Sequence, residues 1–293
     1  MNKKQIVAVV AVVVVMGYLY SQPVKGLIKP KEERTAPSQQ AEAPANANVD
    51  VNTVSGPAKT AIGADLAGKI ISLEEMLKKA SSPAERQKLQ QELAQQWDGV
   101  NQAAPAAFYY LELAKSKNDY ENWLTAGQRF NDAYKFTQDT TVQSTFVANA
   151  IFAFKKAMAV KAESLDAKTG LGIAYVNQTS LGITDAEGGS PMQGIMLLRE
   201  VVTADPQNWN ANLSLGQFAM KSGQFQKAVD RFKAMIAQDT KRSKVEPYFY
   251  LAESYKQLGM KTEAIEAYQK CKELMADPTM GQTIDNYINE LKN

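Results

Sequence analysis

From Leu66 onward, apolar residues recur at intervals of three and four, the spacing that gathers them on one face of a helix. Leu66, Ile70, Leu73, Leu77 and Ala80 form the first such stripe. Ser82-Pro83 then supplies an N-cap and a first-turn proline for a second helix, which carries Leu89, Leu93 and Trp97. A third helix is expected to begin near Pro105, with Phe108, Tyr109, Leu111 and Leu113 along it. The stripe from Leu66 to Ala80 also fits a short coiled-coil seam. Two heptads are too few to stand alone, so packing against the following helices is expected.

Before Leu66 the pattern is different. Met1-Asn-Lys-Lys precedes an uninterrupted apolar run from Ile6 to Tyr20. As a helix that run is about 24 Å long, slightly less than a hydrocarbon core. Residues 1–21 are therefore expected to be a transmembrane signal-anchor. In lipid, every backbone polar group must be satisfied within the segment, which favours helix despite the many valines. A cleaved signal peptide is the alternative, but Gly17-Tyr-Leu-Tyr-Ser-Gln-Pro lacks a small-x-small cleavage pair. Lysines flank the run on both sides and leave its orientation undecided. A signal-anchor that starts so early usually exports the rest of the chain, so the expected location is the bacterial inner membrane with an extracytoplasmic domain. Residues 22–63, rich in Ala, Pro, Asn and Thr, read as a disordered linker with a reach of about 35 Å.

Toward the C-terminus a repeat emerges with a spacing of about 34 residues. One unit runs from Trp209 through Leu215-Gly216, Gly223, Phe225, Ala228 and Phe232; the next runs from Val245 through Leu251-Ala252, Tyr255, Gly259, Ala264, Tyr268 and Cys271. Two earlier units, Tyr120–Ser164 and Leu165–Gln207, match if their turns are lengthened, through Thr137–Gln143 and Asn177–Ser190 respectively. Ala150, Gly194 and Ala228 then share one role, a small residue where two helices cross.

This order of large–small pair, aromatic, turn glycine, small residue and second aromatic resembles the tetratricopeptide repeat. The resemblance implies an all-α, TPR-type helical solenoid behind an N-terminal transmembrane helix. Residues 64–118 would be its helical N-terminal part, 119–278 four repeat units, and 279–293 a C-terminal capping helix with Ile284, Tyr287, Ile288 and Leu291 on one side. It also implies a concave face lined by the first helix of each pair. Carried over by phase, the partner-binding positions are Leu124, Gln128 and Asn131 in the first unit and Thr169, Ile173 and Val176 in the second. Leu213, Gln217 and Met220 follow in the third, and Phe249, Glu253 and Lys256 in the fourth. The family's carboxylate clamp would need Lys and Asn where Leu124 and Gln128 stand. An apolar or amphipathic segment is expected instead of a terminal carboxylate.

Composition narrows the chemistry. The 293 residues include no histidine and one cysteine, Cys271. The commonest general base and metal ligand is absent, and no internal disulfide is available. Formal net charge is +2, with no basic stripe to neutralise phosphates, so no nucleic-acid partner is expected. No cofactor, metal or small-molecule substrate is expected either; Asp185 and Glu187 in the insert lack calcium-loop spacing. The pattern as a whole reads as a non-enzymatic, membrane-anchored adaptor or scaffold that binds a protein, with a role in envelope secretion, folding or complex assembly. A structural subunit of a large envelope complex is the alternative, and an enzyme subunit a more distant one.

Overall fold

The computed structural model describes residues 49–183, 191–275 and 278–292, which lie in a compact unit spanning 46–293. Among the described residues the chain is all-helical. Four helices open the fold: α1 (Val51–Ile62), α2 (Ala64–Lys79), α3 (Pro83–Gly99) and α4 (Ala103–Lys117). Four antiparallel pairs follow: α5 (Tyr120–Phe136) with α6 (Thr140–Val160), α7 (Leu165–Ser180) with α8 (Pro191–Ala204), α9 (Trp209–Lys221) with α10 (Phe225–Ile236), and α11 (Val245–Gln257) with α12 (Lys261–Leu274). The last helix, α13 (Pro278–Lys292), closes the stack. No helix of the described residues is long and apolar enough to cross a membrane. The signal-anchor expected at 1–21 lies outside them.

Local chemistry sets the helix starts. Ser82, Asp119, Ser164 and Asn208 each accept a hydrogen bond from a backbone N–H in the first turn of the helix they cap. The turns of the last two pairs need positive φ, and Gly223 and Gly259 supply it at 72° and 74°.

The pairs interlock through rings and glycines. Phe154 on α6 lies against Gly127 of α5 and Gly170 of α7. A Cβ on Gly170 would stand 2.1 Å from its ring. Phe232 on α10 fills the same role beside Gly216 and stacks on Tyr250 of α11 at 5.6 Å. Gly172 and Gly194 let α7 and α8 cross so closely that a Cβ on Gly194 would meet the Gly172 carbonyl at 2.7 Å. Each second helix thus touches the first helix of its own pair and of the next. The first helices, α5, α7, α9 and α11, meet in succession as an inner row.

Three expectations need correction. The linker does not extend to residue 63, because Val51–Ile62 is helical. Asp50 forms a capping box with Thr53, and Val51 and Val54 pack against the core beside Phe108 and Leu111. A polar composition concealed a helix that needed only one narrow apolar edge. The first unit has no long turn, since Asp139 caps α6 and Thr140–Gln143 become its first turn. In the second unit, α7 continues to Ser180, so the insert begins later than expected; Asp185 and Glu187 lie outside the described residues. The stripe on α2 packs within the fold, with Ile70 and Leu73 buried, while Leu66 at 56% exposure falls off its edge.

Candidate functional site

The inner row encloses a groove of about 1030 Å³. Its floor comes from α5 and α7. Asn131, 6% exposed, donates from Nδ2 to the Gly170 carbonyl at 3.0 Å, and Thr169 is 5% exposed. Asn131 Oδ1 and Thr169 Oγ1 are buried and find no partner in the chain. One wall is built from α9, where Leu213, Gln217 and Met220 face the space. Gln217 Nε2 donates to Glu246 Oε1 at 3.4 Å, and Lys221 Nζ donates to Ser180 Oγ at 3.0 Å, tying α9 to both its neighbours.

Of the twelve residues placed here by phase, eight line the groove: Gln128, Asn131, Thr169, Ile173, Val176, Leu213, Gln217 and Met220. Four do not. Leu124 is buried in the core beside Phe130 and Phe154, because the close α5–α6 crossing turns its side chain inward. Phe249, Glu253 and Lys256 are engaged with the chain's own C-terminal end. Phe249 lies tilted against Tyr287 at 6.3 Å, Lys256 lies 5.4 Å over the Tyr287 ring, and Glu253 accepts from the Tyr268 hydroxyl of α12. Helix α13 therefore stands where a further inner helix would stand and covers that end.

The groove is also more polar than phase suggested. Lys135 and Asp132 on α5, Asp166 on α7 and Glu246 on α11 add charges of both signs. The loop before α11 brings Asp239 and Arg242 to the edge. Glu246 keeps an exposed face, yet the surrounding walls desolvate it and push its carboxyl up, against the pull of Lys135. Burial likewise raises the Tyr250 phenol, with Glu246 adding to the effect. Lys135 could have been found from the sequence, since it follows Asn131 by one turn on the same face. Asp239 and Arg242 could not, because nothing in a loop's sequence fixes which way it folds.

Below the groove, Arg129 holds Asp98 through two bonds, Nε to Oδ1 at 2.7 Å and Nη2 to Oδ2 at 3.1 Å. Tyr110 donates to the same carboxylate at 3.0 Å. This network fastens α3 and α4 to α5 and so fixes one end of the groove.

An inner row of stacked helix pairs, small residues at each crossing and a ring wedged between pairs agree with a sequence match. Residues 189–246 and 248–274 match models of the tetratricopeptide repeat. Residues 189–274 carry tetratricopeptide repeats. Among solved structures it resembles TTC0263, a thermophilic TPR protein of Thermus thermophilus, at 20% identity and a TM-score of 0.52. That match covers 70% of this chain and 98% of the other, and it establishes the all-helical TPR-type solenoid fold. MamA (19% identity, 62% and 93% covered, TM-score 0.43) is a looser match. So is a tetratricopeptide repeat protein from Parabacteroides merdae (11%, 78% and 93%, TM-score 0.41). No curated protein sequence matches the chain.

Proposed function

We propose that this protein is a membrane-anchored adaptor that holds a segment of another polypeptide in the groove along α5, α7, α9 and α11. One observation carries the reading: a groove of about 1030 Å³ whose buried floor presents Asn131 Oδ1 and Thr169 Oγ1 without partners. Buried polar atoms are ordinarily hydrogen-bonded, so an acceptor left open on the floor suits an occupant that brings N–H donors. The volume exceeds what most small molecules need and suits a stretch of chain. Amides, mixed charges and a few apolar side chains favour a polar or amphipathic segment over a wholly apolar one. Residues 1–21 serve as the anchor and 22–49 as the connection, so the groove works at the inner membrane, on its outer side, and the tether raises the local concentration of the partner. Catalysis forms no part of this role.

A photoreactive residue replacing Gln217 in intact cells tests the groove. The expected result is a discrete protein adduct that is absent when the same group replaces Lys156 on α6, and that is lost with Leu213→Asp. Adducts from position 156 alone would sink the reading. Alkaline carbonate tests the anchor: the full chain stays with the membrane pellet, and a chain lacking residues 1–21 is released. Protease added to spheroplasts should digest the repeat domain, and its survival would place the groove inside.

A further inference from the structure

We propose that a second cavity, open at one side and lined by α1, α2 and α4 with Gln90 of α3, is a pocket for an uncharged small molecule that carries a primary carboxamide on an apolar ring. The cavity measures about 470 Å³, within the range of small-ligand pockets and well apart in sequence from the groove. Each helix gives it one face. Ser55 and Lys59, one turn apart on α1, look onto Glu74 and Leu77 of α2 and onto Phe108 and Tyr109 of α4.

Its layers are those of a binding pocket rather than of a packing fault. Ser55, Phe108 and Tyr109 are buried and form the floor, while Lys78 and Glu112 are exposed at the rim. Two rings and Leu77 leave room for an apolar body. Between floor and rim, Lys59 Nζ meets Glu74 Oε2 at 2.6 Å, with both side chains largely buried. The other carboxylate oxygen, Glu74 Oε1, is buried and has no partner in the chain. An ionised carboxylate accepts at both oxygens, so this one lacks a donor.

The charge of the missing group is set by its surroundings. Lys59 already neutralises Glu74, and at the rim Glu112 is paired with Lys115 at 2.8 Å while Lys78 stands exposed to solvent, which screens its charge. A charged ligand would leave water without a counter-ion of its own, which is costly. A carboxamide brings an N–H to Glu74 Oε1 and a carbonyl that can accept from the nearby Tyr109 or Ser55 hydroxyl. Burial and the Glu74 charge keep the Tyr109 phenol protonated well above its usual range, so it remains a donor. Occupancy would also hold α1 in place, because α1 supplies one wall.

Benzamide is the probe, with benzoate and benzylamine as its charged counterparts. Hydrogen exchange of the full detergent-solubilised chain is followed by mass spectrometry. Benzamide near its solubility limit is expected to slow exchange across residues 51–62 about threefold or more, as a ligand bound only to the docked state must. Exchange in α9 should not change. The charged counterparts should have no effect, and Ser55→Leu, which fills the floor, should abolish the benzamide effect. If that variant undocks α1, seen as faster exchange without probe, Leu77→Phe fills the cavity from the opposite wall and replaces it. No slowing by benzamide overturns the proposal. So does equal slowing by benzoate or benzylamine, or slowing that persists in a filled variant with α1 docked.

Discussion

Gly170 shows how finely single side chains are fitted. Its missing Cβ is the space that Phe154 occupies, so Gly170→Ala should force the ring or α7 to move and cost about 1–3 kcal/mol. Gly68, on an exposed face of α2, has nothing within 4 Å of its would-be Cβ. Gly68→Ala should therefore stabilise by up to about 1 kcal/mol through helix propensity alone. Urea denaturation midpoints of the two variants check both signs; a neutral Gly170→Ala would mean that the ring has another place to go. The same scale governs pH. Burial, then the Asp98 charge and its hydrogen bond, push the Tyr110 phenol up to about 12 from 10.0. A raised folded value means that its contribution is complete below pH 10 and is lost as pH rises through about 12. The alkaline fall in thermal midpoint should be smaller in Tyr110→Phe than in the parent chain.

At the scale of elements, the two ends of the stack behave differently. Helix α13 buries Ile284, Ile288 and Leu291 and stacks Tyr287 on Tyr268 at 5.6 Å. Tyr287→Ala removes that ring pair and the Phe249 and Lys256 contacts, a loss of about 2 kcal/mol in a denaturant titration. Helix α1 has weaker support, with only Ser55 and Ala58 buried and Pro57 within it. Its cap depends on Asp50, whose carboxyl is held below 3.8 chiefly by the Thr53 backbone N–H. A depressed folded value contributes above the unfolded value and is lost as pH falls through the folded one. Hydrogen exchange in acid should accordingly open α1 before α5 to α12, whereas simultaneous opening would show that the cap is unimportant. Much of this level was legible beforehand. Ser82-Pro83 announced α3, and Gly223 and Gly259 announced their turns. Helix α1 was not, because its apolar edge is narrow and becomes meaningful only against α4.

For the whole molecule, each repeat unit contacts only its neighbours, so stability is expected to be a sum of local terms and to melt from the ends. The groove is the property of four such units together. Eight of its lining residues could be read from phase, since repeats superpose equivalent positions on one inner row. Leu124 was misplaced because the tight crossing at Gly127 buries it. Phe249 and Lys256 were misplaced because α13, from further along the chain, comes to rest on them, and Glu253 because Tyr268 of its own pair takes its carboxylate.

By itself the sequence determined the helical period, the repeat spacing, the caps and the small residues at crossings. All of these arise from interactions within a few turns of one helix or between adjacent pairs. Only the tertiary structure decided that Tyr287 of the capping helix covers Phe249 and Lys256, that α1 docks, and that charged groups and a loop join the groove wall. Each of those depends on which surfaces meet after distant segments have packed, and a local pattern carries no record of its eventual neighbour.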